Sequence, residues 1–155
     1  MNPATSTTLT LDGDEYVACL TEVGIMELEI KFGHFQPDGR KVMRSIVAIY
    51  ATLLDSLVIR DDGTINLVGY GDIAIEEIND VLLHGLIGGG RGPEVDGSTI
   101  VDKRRAQHLV TRYGAPRRPI EVVAGDAFKI LHAAIHGAAS IRATAAKMAQ
   151  EAVAA

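Results

Sequence analysis

LHGLIGGG (83–90), followed by AQHLVTRYG (106–114) and RRPIE (117–121), carries the reading of the fold. Upstream of the glycines, Ile75, Ile78, Val81, Leu82 and Leu86 recur at helical steps, which puts an apolar stripe on one helix face. Gly85 lies on that stripe. Its missing side chain costs roughly 1 kcal/mol of helix propensity, but it lets a neighbouring helix or strand come close. Gly88, Gly89 and Gly90 supply residues able to adopt positive φ and so end the helix. A phosphate-cradling loop would need its glycines between a strand and the start of a helix. Here they follow a helix, no Lys-Ser or Lys-Thr pair comes after them, and GxGxxG spacing is absent.

Working outward toward the N-terminus, the Asp12-Gly13 pair separates two alternating runs, the signal of a hairpin with a two-residue turn in which Leu9 faces Tyr16. A lone hairpin is marginal in water, so helices must cover its apolar face. Thr21 is placed to cap a helix over 22–32, with Gly33 as its stop and HFQPDG as the loop beyond. Val42, Ile46, Ile49, Leu53 and Leu57 keep a helical period over 40–57, widened by Tyr50 and Leu54. After it, LVIR, DDG and TINLV either extend that element or form a second small hairpin. Gly71 and Asp72 mark the start of the helix over 73–87.

On the other side, GGGRGPEVDGS reads as a loop, rich in glycine and broken by Pro93. Ser98 caps a helix over 99–113 in which Ala106, Leu109, Val110 and Tyr113 share a face. Pro119 stands at the first turn of a last helix. Ala127, Leu131, Ala134, Ala138, Ile141, Ala145, Met148 and Ala152 alternate steps of four and three, the spacing of a coiled-coil seam. Alanine occupies every face of the tail, however, so a loosely docked, partly frayed helix fits equally.

One domain of ordinary core suits 155 residues. Cys19 is the only cysteine, which rules out an intrachain disulfide, and its place in an alternating strand suits a small buried hydrophobe. MNPATSTT has neither a basic patch nor an apolar run, and no stretch approaches the ~20 apolar residues that cross a bilayer, so a cytoplasmic protein is expected. With no Trp, three Phe and four Tyr, the chain lacks stacking platforms for single-stranded nucleic acid. The net charge of −5 hides an asymmetry: residues 1–90 hold five Lys and Arg against fourteen Asp and Glu, whereas 91–155 hold ten against six. Either the two halves attract across copies, head to tail, or they fold on one another and the charges solvate the surface.

No catalytic constellation is visible. His132 and His136 have metal-ligand spacing on one helix, but HAAIH brings no carboxylate beside them. The pairs Glu76 and Glu77, Asp61 and Asp62, and Glu27 and Glu29 point to different faces and serve helix ends and solvation. Ser45, Ser56, Ser98 and Ser140 lack a nucleophile-elbow context. The chain therefore reads as neither an enzyme nor a holder of metal or cofactor.

The stretch from LHGLIGGG to RRPIE resembles the tail-assembly-chaperone family of gene transfer agents and siphophages, sometimes described as a tail tube family. Its members read as a helix ending LIGGG, a helix with Leu-Val and Tyr, and a helix led by Arg-Pro. TLTLDGDEYVACLT and EVGIMELEIKFG look like the family's strand pair and first helix, and matched positions run from about Thr8 to about Ala139. Gly85, Leu86, Ile87, Gly88, Gly89, Gly90, Leu109, Val110, Tyr113, Arg118 and Pro119 match the family pattern and are the expected interaction residues. The resemblance implies a protein of the bacterial cytoplasm that coats the tape measure protein, hands it to tail tube protein, and is absent from the mature particle. The alternative is a minor tail or tube-associated subunit retained in the virion. Taken together, these readings predict a mainly α protein: a flexible start over 1–7, one domain over 8–139 of about five helices with an N-terminal β-hairpin, and an Ala-rich helical tail over 140–155. Its partners would be proteins, including other copies of itself, with no nucleic acid and no membrane.

Overall fold

A computed structural model describes residues 3–68 and 74–137. The expected start at Gly71 and Asp72 and the seam positions from Ala138 onward lie outside the described residues. A 3-10 turn at Pro3–Thr5 leads into β1 (Ser6–Leu11) and β2 (Asp14–Cys19), antiparallel and in the expected register, with Leu9 opposite Tyr16. Then come α1 (Glu22–Lys31), β3 (His34–Phe35), β4 (Lys41–Val42), α2 (Ile46–Asp55), β5 (Leu57–Ile59) and β6 (Ile65–Leu67). The order closes with α3 (Ile75–Gly89), β7 (Arg91–Val95), β8 (Ser98–Ile100), α4 (Lys103–Tyr113) and α5 (Ile120–His136).

The fold is α+β and not mainly α: the described residues are 50% helical and 23% strand, with a four-stranded antiparallel sheet in the order β1-β2-β7-β8. The five helices are present among the described residues, but strand content was underestimated in two places. GGGRGPEVDGS is not a loop: it ends α3, forms β7, and turns at Asp96-Gly97 into β8. Ser98 consequently sits in β8, and Asp102 caps α4 instead, its carboxylate accepting from the Arg105 N–H at 2.8 Å. Residues 34–42, expected as loop and helix start, form the small β3–β4 hairpin, which leaves Ser45 to cap α2 by accepting from the Val47 N–H at 3.1 Å. Of the two alternatives open for 57–68, the structure has the hairpin, β5–β6.

The centre is α5, in which Val123, Ala124, Ala127, Phe128, Ile130 and Leu131 are all fully buried. It packs on α3 and α2 and reaches β1 and β6, while α3 lies along β2. The alternation of β1 and β2 explains the inward face of the sheet: Leu9, Leu11, Tyr16 and Ala18 join the core, and the residues between them do not. None of the described helices is long and apolar enough to cross a membrane.

Candidate functional site

The eleven expected interaction residues divide by what they touch. A Cβ on Gly85 would stand 2.7 Å from Ile130 Cδ1, so this glycine lets α5 close onto α3. Gly88 and Gly89 do the same against the sheet: a Cβ there would collide with the Cys19 and Val17 carbonyl oxygens of β2. Gly90, at φ 68°, caps α3 through its N–H to the Leu86 carbonyl at 2.9 Å. Leu86 and Leu109 are buried and Val110 half-buried. The Tyr113 hydroxyl donates to Asp12 Oδ2 at 3.4 Å, tying α4 to the tip of the first hairpin. Arg118 donates to the Tyr113 carbonyl at 2.5 Å and to Asp126 Oδ2 at 2.7 Å, and the Pro119 carbonyl accepts the first turn of α5. Burial holds the Asp126 carboxyl above the usual range, against the downward pull of Arg118. Ile87 lines a cleft.

That cleft, about 330 Å³, opens between α1, α3 and α4. Val23, Leu83 and Ile87 give it apolar walls, and Gly24 faces His84 with room for a Cβ, which would lie 3.5 Å from the His84 Cβ. Glu27, Lys31, Asp80 and Lys103 form a charged rim. Lys31 reaches Glu76 at 3.1 Å and Asp80 at 2.5 Å, and the Asp80 hydrogen bond leads in raising its pKa. Glu27 stands 3.6 Å from His84 Nδ1. Lys103 has no ion-pair partner among the described residues.

Beside the cleft, α1 carries a second surface. Val23, Met26 and Ile30 are 63%, 52% and 44% exposed, while Gly24 and Leu28 on the opposite side are buried. Phe35, Met43 and Val47 are exposed too. The row was not anticipated. The signal for the row was in EVGIMELEIK: its apolar residues occur all round the helix, more than one inward face can bury.

Several other chemistry-bearing residues have structural partners. His132 is buried with its Nδ1 2.8 Å from the Tyr50 hydroxyl, and its ring centre lies 5.0 Å from that of His136. Burial also raises the Tyr50 pKa. Glu77 pairs with Arg44 at 2.7 Å, Glu29 accepts the Ile46 N–H at 2.8 Å at the start of α2, and Asp62 closes the β5–β6 turn by accepting the Thr64 N–H at 2.9 Å. Among the described residues no group of three or more His, Cys, Asp or Glu is placed to hold a metal ion. Compared with models of protein families, with curated proteins and with solved structures, the chain finds no match in any of the three.

Proposed function

We propose that the protein is an assembly chaperone of phage or gene-transfer-agent tails, which binds the tape measure protein and keeps it soluble until tube subunits polymerise on it. The resemblance of 83–121 suggests the role, and the cleft between α1, α3 and α4 is the observation that carries it. A long helix with an apolar stripe is insoluble because the stripe has no partner; a groove with apolar walls and a charged rim covers such a stripe while its edges stay wet. Val23, Leu83 and Ile87 take the apolar side chains, and Glu27 and Lys103 meet charges flanking the stripe.

Co-expression with its cognate tape measure protein tests this. The soluble yield of that protein should rise severalfold. Gln107→Trp, at an exposed position on the α4 wall, fills the cleft without touching the core and should abolish most of the gain, with circular dichroism unchanged. A tape measure protein equally soluble alone defeats the reading. Mass spectrometry of finished particles separates it from a retained minor tail subunit: the chaperone is absent, the subunit present.

A further inference from the structure

We infer that the cavity between the β5–β6 hairpin and the first turns of α5 is a binding site for a small zwitterion, an amino acid whose ammonium and carboxylate stand a few atoms apart. The cavity has about 190 Å³ of room, and Gly63, Ile65, Gly125, Asp126 and Lys129 are among the residues that line it. A cavity of roughly 150 Å³ takes a six-carbon ring, so a ligand of about six non-hydrogen atoms fits. None of its lining residues lines the cleft between α1, α3 and α4, so the inference stands apart from the tape measure reading.

Two charged groups meet this cavity with bonding capacity to spare. Asp126 is only 8% exposed. Its Oδ2 accepts from Arg118 at 2.7 Å, while its Oδ1 has no partner among the described residues and keeps access to the cavity. Lys129 has neither a hydrogen bond nor an ion pair among the described residues. The two stand at i and i+3 on α5, roughly 5–6 Å apart at Cβ, yet they do not pair with each other. A carboxylate with a free acceptor and an ammonium with free donors, side by side over one cavity, match a ligand that carries the reverse pair. Burial leaves the Asp126 carboxyl above its usual range although Arg118 and Lys129 pull it down, so a further cation beside it is stabilised. Glu121, the other acid on the wall, is engaged already: one oxygen accepts the Leu67 N–H at 2.8 Å and the other Asn66 Nδ2 at 3.4 Å.

Gly125 sets this cavity apart from an incidental gap. It lies inside α5, where glycine costs helix stability relative to alanine. Close packing does not require it: a Cβ there would lie 3.7 Å from the nearest atom, Ile65 Cβ, an ordinary contact, whereas at Gly85 a Cβ would stand 2.7 Å from Ile130. The space of an alanine methyl is left instead to the cavity that Gly125 and Ile65 both line.

Titration with β-alanine, followed through amide shifts in NMR spectra, should move the signals of 63–65 and 121–129 saturably, with the millimolar dissociation constant suited to so small a ligand. Propionate, which lacks the ammonium, and propylammonium, which lacks the carboxylate, should each bind at least tenfold more weakly. Lys129→Met should weaken β-alanine at least tenfold with circular dichroism unchanged, because that side chain has no partner to lose. Gly125→Ala should raise the urea midpoint and also weaken β-alanine at least tenfold. The absence of saturable shifts, an equal response to either singly charged analogue, or binding that survives Lys129→Met or Gly125→Ala overturns the inference.

Discussion

β1–β2 and β7–β8 turn on the same two residues in the same conformation. Asp12 and Gly13 have φ of 52° and 82°, Asp96 and Gly97 of 51° and 80°, the doubly left-handed turn that Asp-Gly favours in hairpins. Their strands are held in different ways. The first hairpin buries Leu9, Leu11, Tyr16 and Ala18, so a one-residue slip would turn its core face outward, and burial fixes the register. The second buries no side chain, and Val95 and Ile100 stay exposed. It is held by backbone pairing of Arg91 with Val17, by the Val101 N–H to the Gly90 carbonyl at 2.8 Å, and by Arg105, which donates to the Ile100 carbonyl at 3.1 Å and the Pro93 carbonyl at 2.8 Å. Equal turn chemistry therefore does not make equal hairpins: one is part of the core and the other an attachment to it.

The largest effect is expected where the two join. Gly88 and Gly89 let the end of α3 cross the backbone of β2 just before the chain enters β7, and the atoms a Cβ would meet there are carbonyl oxygens that cannot swing aside. Gly89→Ala should cost about 3 kcal/mol or more in urea unfolding, because backbone must move on both elements. A cost near zero would mean that α3 does not cross β2 at this distance.

Next in size is a matched pair of strand truncations. Leu9→Ala removes a side chain only 1% exposed and should cost about 2–5 kcal/mol. Ile100→Ala, in the second hairpin, should stay within about 0.5 kcal/mol because that side chain is mostly in water. Similar costs for the two would abolish the distinction between core and attachment.

The same distinction accounts for what the sequence made legible. Leu9 to Ala18 alternate because one face is buried, and α3 and α5 show a helical period for the same reason. β7 and β8 carry no such pattern, so Pro93 and the glycines around it read as loop even though Asp96-Gly97 repeated the turn signal of Asp12-Gly13. Val42 happened to fall on the period of α2 and drew its expected start back to 40, past the cap at Ser45. Gly85 was readable as a point of close approach and Gly88 only as a helix stop, and their partners, Ile130 and Cys19, are distant in sequence, so no local pattern names them. The cleft needed three helices in place before it existed, and α1's surplus of apolar residues was a sign only of its exposed row.

The smallest effect is the one that isolates the comparison. Gly13 and Gly97 share φ, and a Cβ on either would meet nothing within 4 Å, so alanine at each carries the same local conformational strain of about 1 kcal/mol. What differs is the unfolding that relieves it. Opening β1–β2 exposes Leu9 and Leu11 and amounts to global unfolding, so Gly13→Ala should lower the urea midpoint. Opening β7–β8 exposes almost no new apolar surface, so Gly97→Ala should leave that midpoint nearly unchanged and appear as faster amide exchange confined to 91–100. Equal midpoint shifts from the two variants would show that the second hairpin unfolds only with the whole domain, and that its backbone bonds and Arg105 bind it as firmly as burial binds the first.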